Sequence, residues 1–273
     1  MPCLNEEESV PLCVERAWQG IAKTSLSGEV VVCDNGSSDR SVELAERAGA
    51  RVVREPRRGY GRAYLTGIDA SVGRLIVIGD SDCSYDFSEL DRLIGPLLDG
   101  YDYVLGSRFA GTILPGAMPA LNRYLGNPVL TGVLNRLFGL HTSDAHSGMR
   151  AFTRTAYERM QLRCEGMEFA SEIVVAAAQV GLRVTEVPIT YHPRVGDSKL
   201  RRWRDGARHL RFMFAEALSP APRGGPIGEA RPEAGDNAAD GRTAAVGEQV
   251  AAARNGGAAA LRGGLPATDS SPR

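Results

Sequence analysis

Apolar runs and polar turn clusters alternate along most of the chain. Glu29–Cys33 (EVVVC) is a β-branched run closed by the turn signal Asp34-Asn35-Gly36, and predicts a strand. Ser38 or Asp39 then stands as the cap of a helix over about residues 40–48. Ala50–Val53 predicts a second strand, residues 61–71 a helix, and Arg74–Ile78 (RLIVI) a continuous apolar strand that stops at Gly79. A helix over 87–98 follows, with Ser88 as its cap, and then a strand over 101–105 ending at Gly106. Nearer the N-terminus, Asn5-Glu6-Glu7-Glu8 ahead of Val10, Leu12, Val14 and Ala17 predicts a helix with an acidic first turn. The β-α-β-α-β order implies an α/β fold with a mostly parallel, Rossmann-like sheet and helices on both faces. A strand belongs before the first helix, and only Met1–Leu4 supply it. The expectation is therefore a truncated first strand, with its natural start upstream.

The pattern stops after Phe214, the last aromatic residue. Residues 219–273 hold 14 Ala, 10 Gly and 6 Pro but only five of Ile, Leu, Val and Met. That is too little apolar surface to offset chain entropy, so this stretch is expected to be a disordered tail and residues 1–218 the folded domain. Lys plus Arg number 32 against 33 Asp plus Glu, a net charge of −1, which excludes a globally basic nucleic-acid binder; no nucleic-acid partner is expected. The five cysteines are scattered without a Cys-x-x-Cys pair, which argues against a disulfide framework or zinc knuckle and fits a reducing, cytoplasmic location. No apolar run reaches the roughly 18 residues of a membrane span, and no signal-peptide pattern opens the chain.

In parallel α/β sheets ligands bind beyond the carboxyl ends of the strands. Three polar clusters fall there: Asp34–Asp39, Asp80-Ser81-Asp82 and Gly106-Ser107-Arg108. Asp80 and Asp82 leave one strand end on the same side, and two hard carboxylates so placed suit Mg²⁺ or Mn²⁺ bridging a diphosphate. The plainer reading of such a pair is a solvated turn, and of Asp34 an ordinary turn aspartate. Gly59 and Gly61, set among Arg57, Arg58 and Arg62 at a helix start, would let backbone approach a diphosphate closely; the alternative is a flexible basic loop.

Six motifs occur in order: Pro2-Cys3-Leu4-Asn5-Glu6-Glu7, Asp34-Asn35-Gly36-Ser37-Ser38-Asp39, Asp80-Ser81-Asp82, Gly106-Ser107-Arg108, Asp144–Phe152 (DAHSGMRAF) and Gly196-Asp197-Ser198-Lys199-Leu200. Together they resemble the family 2 glycosyltransferases of the GT-A fold, and among them the dolichyl- or polyprenyl-phosphate sugar synthases. The resemblance covers residues 1 to about 215. It implies an inverting, metal-dependent enzyme that moves a hexose from a nucleotide-diphosphate sugar to a polyprenyl phosphate. It further implies that Pro2, Glu6 and Asp34 contact the nucleotide and that Asp80 and Asp82 hold the metal and diphosphate. Asp144 matches the catalytic acid/base position. Arg108, Arg123 and Arg150 are carried over as phosphate or acceptor residues, with Arg194, Ser198 and Lys199 on a loop that closes over the diphosphate. Two positions depart from the family pattern: Ser84 stands where mannose-specific synthases usually carry Gln, and Pro193 stands where an acceptor-loop arginine is common, with Arg194 beside it. For Asp144 a helix-capping role is the plainer alternative.

Residues 199–218 carry six basic against two acidic side chains, with Trp203, Ala207, Leu210, Phe214 and Ala217 forming a stripe at helical spacing. This reads either as a helix at a membrane surface or as one packing its stripe on the core. Residues 118–140, rich in Leu and Val, are a second candidate surface. Location on the cytoplasmic membrane face, held by lipid or by a membrane-protein partner, follows from the first reading. Three other functions compete: a glycosyltransferase with a soluble sugar or protein acceptor, a non-catalytic nucleotide-sugar-binding remnant, and a nucleotidyltransferase.

Overall fold

The computed structural model describes residues 1–196 and 202–218. Ser198, Lys199 and the expected tail at 219–273 lie outside the described residues, as does the side chain of Trp203.

The chain opens with β1 (Pro2–Cys3), α1 (Val10–Lys23), β2 (Val31–Asp34), α2 (Ser41–Arg47), β3 (Arg51–Arg54) and α3 (Tyr60–Ala70). β1, β2 and β3 form a parallel three-stranded sheet in that order. β4 (Leu75–Ile78), a 3₁₀ turn (Phe87–Glu89), α4 (Leu90–Leu98) and β5 (Tyr103–Ile113) follow. A π-helical turn (Asn122–Gly126) leads into α5 (Asn127–Phe138), then β6 (Arg150–Thr153), α6 (Arg154–Met160), α7 (Phe169–Gln179), β7 (Val184–Tyr191) and α8 (Arg202–Leu218). The second sheet has the order β4-β6-β5-β7, in which β6 runs antiparallel between β4 and β5 while β7 runs parallel to β5.

The continuous apolar strands follow from cover on both faces. Along β4, Ile76 and Ile78 enter one core while Leu75 and Val77 pack on the other. Tyr103 and Leu105 alternate with Val104 on β5, and Phe152 with Ala151 on β6, in the same way. One core is closed by α1 (Val10, Cys13, Val14, Ala17) and α4 (Leu90, Leu93, Ile94, Leu97), each at helical spacing. The other is closed by α3, α5, α6, α7 and, through Met213, α8.

Several boundaries differ from expectation. The acids at 6–8 precede α1 instead of filling its first turn, because Asn5 adopts φ 51° and the helix starts only at Val10, with Pro11 in its first turn. Asp39, not Ser38, supports the start of α2, its carboxylate accepting from the Ser41 N–H at 3.0 Å. Asp86, not Ser88, caps the 3₁₀ turn before α4 by accepting from the Ser88 N–H at 2.9 Å. β5 runs past Gly106, and Gly106-Ser107-Arg108 lies inside a strand. A Cβ on Gly106 would stand 3.0 Å from the Ile189 side chain of β7, so this glycine marks a close strand approach, not a turn.

The stripe expected on α8 is not the face that packs. His209, Met213 and Glu216 are buried, while Ala207, Phe214 and Ala217 are exposed and Leu210 is intermediate. α8 packs on α5 and α7, where His209 Nδ1 shares a hydrogen bond with Ser171 Oγ at 2.8 Å; polar complementarity therefore helps set its rotation. Among the described residues no helix is long and apolar enough to cross a membrane.

Candidate active site

β4 ends at Ile78, and Asp80-Ser81-Asp82 turns across the edge between the two sheets. Ser81 Oγ donates to the Pro2 carbonyl at 2.7 Å, tying this turn to β1. Asp80 Oδ1 accepts two phenol hydroxyls, Tyr60 and Tyr64, each at 2.9 Å. Asp82 is buried; Oδ1 accepts from the Ser84 N–H (2.9 Å) and Oδ2 from the Arg194 guanidinium (2.5 Å). Burial, and then the neighbouring Asp82 charge, push the Asp80 carboxyl up to about 6. Two close carboxylates thus meet a single guanidinium. That is a donor set suited to a hard divalent cation. Among the described residues no group of three or more His, Cys, Asp or Glu side chains gathers for a metal, so the remaining oxygens would come from a ligand and water. Asp80 and Asp82 therefore fit the expected Mg²⁺ or Mn²⁺.

Backbone pairing delivers Arg194. Past β7 the chain returns antiparallel over the aspartate turn: Tyr191 bridges to Tyr85, His192 N–H donates to Ser84 O (2.9 Å) and Val195 N–H to Asp82 O (2.9 Å). Tyr85 in turn accepts from the Gly148 N–H at 2.7 Å. The Asp144–Arg150 segment therefore lies against the same turn, and a Cβ on Gly148 would stand 2.9 Å from Asp80 Oδ2.

Asp144 is fully buried and forms neither a helix cap nor an open acid. Its carboxylate accepts from Arg108 three times, from the backbone N–H (3.0 Å), Nε (2.6 Å) and Nη2 (2.7 Å). Arg108 also lies over the Tyr191 ring, 5.1 Å from its centroid. Burial works against its charge, but Asp144 outweighs that and holds Arg108 protonated. Arg150, expected among the phosphate residues, is a strut instead. Its guanidinium is 1% exposed and is spent on the carbonyls of Ser147 (2.7 Å), Ala145 (3.0 Å) and Ala170 (2.8 Å). Arg123 lies on the π-helical turn over the Tyr124 ring, and no hydrogen bond or ion pair joins it to the aspartate cluster.

On the nucleotide side, Pro2 pairs with Cys33 across β1 and β2. Asp34 at the end of β2 closes its own turn, accepting from the Ser37 N–H (2.9 Å) and Gly36 N–H (3.3 Å). The Glu6 carboxylate accepts from Ser9 Oγ (3.1 Å), and its Oε2 lies 3.8 Å from where a Cβ on Gly196 would stand, beside the Arg194 segment. Gly59 and Gly61 do permit close approach, but of protein. A Cβ on Gly59 would meet the Glu165 carbonyl at 2.5 Å, and one on Gly61 would strike the Cys164 carbonyl. Their N–H groups are engaged too, with Asn35 Oδ1 (2.9 Å) and Gly166 O (3.2 Å). The expectation that they meet a diphosphate gives way to packing of α3 on the 164–166 segment.

Sequence reasoning missed several members of this site. Asn35 latches the 55–59 loop, donating to the carbonyls of Glu55 (2.9 Å) and Arg57 (2.8 Å) as well as accepting from Gly59. Glu55, held down to about 2 by the Arg57 guanidinium, also accepts from Thr66. Tyr60, Tyr64, Tyr85 and Tyr191 enclose the aspartates and Arg108. The one available signal was Tyr60 and Tyr64 four apart on the helix after Gly59, which also reads as plain core spacing.

The model of glycosyl transferase family 2 matches residues 1–161. The chain is 46% identical over 218 residues to the low-salt glycan biosynthesis hexosyltransferase Agl6 of Haloferax volcanii, covering 80% of this chain and 52% of that protein. It therefore spans about half that relative's length. It is 34% identical over 212 residues to a dolichyl-phosphate hexose transferase of the same organism, covering 76% and 87%. Among solved structures, glucosyl-3-phosphoglycerate synthase of Mycobacterium tuberculosis, in complex with Mn²⁺, UDP and glucosyl-3-phosphoglycerate, superposes with a TM-score of 0.62 at 22% identity, covering 81% of this chain and 79% of that one. The expected GT-A fold is the fold observed.

Proposed function

The chain belongs to glycosyl transferase family 2, and from that premise we propose that it moves a hexose from a nucleoside-diphosphate sugar to the phosphate of a polyprenyl (dolichyl-type) phosphate, with inversion at the anomeric carbon. The observation that carries this reading is the ledge of Asp80 and Asp82 at the end of β4, two neighbouring carboxylates eased by the Tyr60 and Tyr64 hydroxyls on Asp80 and by Arg194 on Asp82. The acceptor half rests on the dolichyl-phosphate hexose transferase relative.

Asp80 and Asp82 would hold Mg²⁺ or Mn²⁺, which when bound neutralises a departing diphosphate. Pro2 in β1, Glu6 just beyond it and Asp34 at the end of β2 would contact the nucleoside. Arg194, carried over the ledge by the return of the chain from β7, would meet the diphosphate, and the family resemblance gives Ser198 and Lys199 the same task. An acceptor phosphate is already anionic, so the reaction needs alignment and charge more than a strong base. Asp144, whose carboxylate is taken by Arg108, would act by holding that arginine in place beside the acceptor.

Access to a lipid acceptor has a structural counterpart. Leu121, Tyr124, Leu125 and Val129 are exposed at helical spacing through the π-helical turn into α5, and Phe214 and Leu218 are exposed on α8, which packs beside α5. The exposed Arg136 and Arg211 lie on the same two helices. Such a surface suits peripheral binding at the cytoplasmic membrane face.

The test is nucleoside-diphosphate release from a panel of donor sugars with Mn²⁺, with and without a polyprenyl phosphate in detergent. Release that requires the lipid phosphate and is lost in Asp82→Ala supports the reading. Release driven by a soluble sugar or protein instead would remove the acceptor half, and no turnover of any donor would remove the whole.

A further inference from the structure

We propose that Tyr60 and Tyr64 are positioning residues of the cation ledge, their hydroxyls fixing the Asp80 carboxylate so that Oδ1 is engaged by the protein and Oδ2 is offered to a divalent cation. The inference rests on the reading of Asp80 as a cation ligand.

The two tyrosines stand one turn apart at the start of α3, so their side chains leave the same face. Their rings pack edge to face at 5.0 Å and 78°, and Tyr64 stacks on Phe169 of α7 at 5.2 Å and 8°. Tyr64 is buried, so its hydroxyl has little freedom to turn elsewhere. Both hydroxyls reach one oxygen, Asp80 Oδ1, at 2.9 Å. Hydrogen bonds from O–H to a carboxylate are charge-assisted and directional, and two on one oxygen fix the carboxylate's rotation about its own axis. The second oxygen is kept clear differently. Gly148 has no side chain where a Cβ would stand 2.9 Å from Oδ2. Packing alone would be served by two phenylalanines, since the ring contacts do not involve the hydroxyls. Partners that orient a metal-binding carboxylate commonly matter about 10–100-fold to metal affinity.

The test is Mn²⁺ binding, followed as loss of the free-ion electron paramagnetic resonance signal, for wild type, Tyr60→Phe, Tyr64→Phe and the double variant, first with Mn²⁺ alone and then with UDP added. Each single variant is expected to bind Mn²⁺ several-fold more weakly and the double variant about 10–100-fold more weakly, with melting temperatures close to wild type. Tyr157→Phe, whose hydroxyl bonds Asp69 at 2.6 Å away from the ledge, is expected to leave Mn²⁺ affinity unchanged. Equal Mn²⁺ affinity in wild type and the double variant would overturn this inference while leaving the proposed function standing. Absence of Mn²⁺ uptake by wild type would overturn both. Should the double variant not fold, Tyr60→Phe decides the matter, because its ring is only partly buried.

Discussion

Replacing Gly61 by Ala tests what the glycines ahead of α3 are for. A Cβ there would stand 2.8 Å from Phe169 Cβ and 3.0 Å from Gly166 O, and closer still to the Cys164 carbonyl. Two of these three are backbone atoms, which cannot rotate away. Relief requires α3 or the 164–166 segment to move, and that strains Gly61 N–H to Gly166 O (3.2 Å) and Arg62 N–H to Glu165 O (3.0 Å). Overpacking of this kind costs about 1–3 kcal/mol, and two weakened hydrogen bonds add roughly 0.5–1.5 kcal/mol each. The better helix propensity of Ala returns at most about 1 kcal/mol. The net expectation is a loss of about 2–4 kcal/mol, or roughly 5–15 °C in Tm for a domain of this size. Gly132→Ala is the control: it lies exposed within α5, its Cβ would meet nothing within 4 Å, and it should gain about 0.5–1 kcal/mol. Thermal and urea unfolding of both variants, together with donor binding, distinguish the two roles. A Gly61→Ala protein that melts with wild type yet has lost donor affinity would refute the packing argument and return the glycine to the diphosphate.

Two further outcomes follow from buried charge. Asp80 holds its proton to about 6 in the folded chain against the ordinary 3.8 of an aspartate, so this group's contribution to stability falls as pH rises between those values, and the charged ledge above about 6 is the form that attracts a cation. The gain in Tm on adding Mn²⁺ should therefore be small at pH 5 and full at pH 7.5, and absent in Asp80→Asn; the same gain at both pH values would contradict the assignment. Arg108→Met strands the fully buried Asp144 and should cost about 3–5 kcal/mol in urea unfolding, whereas Arg108→Met with Asp144→Leu should recover a large part of it; additive losses would show the pair is not coupled.

What was legible in the sequence had a local cause. The run RLIVI announced a strand covered on both faces, and the acids directly after it announced the ledge. β6 and β7 were not legible. β6 is four residues with Arg150 at its head, and its insertion between β4 and β5 is decided by pairing across about seventy-five residues to β4 and about fifty to β5. β7 contains Glu186 and Pro188, which argue against an interior strand; it tolerates Pro188 because it lies at the end of the sheet order. Side-chain fates were hidden for the same reason. Nothing near Asp144 in sequence says that Arg108 will take its carboxylate, and nothing near Arg150 says that three carbonyls will take its guanidinium. The sequence around Gly59 and Gly61 points to close approach by a diphosphate; what approaches is the 164–166 backbone, about a hundred residues away.

These partnerships decide the charge that the site presents. Arg108 is neutralised by Asp144, Arg150 is buried under carbonyls, and Arg57 is held by Glu55. Of the described arginines, Arg194 alone bonds to the ledge, and its side chain is 31% exposed and so partly screened. Asp80 and Asp82 together outweigh it, and the ledge is net negative whenever Asp80 is ionised. A diphosphate brought to that surface would be repelled, while a cation would be drawn in, so cation and diphosphate must each favour the other's binding. On the proposed function Arg194 would serve both sides of this linkage. Bonded to Asp82 it offsets part of the repulsion between the carboxylates, and released from Asp82 it becomes a guanidinium free to fork onto a phosphate. Because the main chain around it is pinned by His192 and Val195 to Ser84 and Asp82, that exchange would be made by rotation of the side chain.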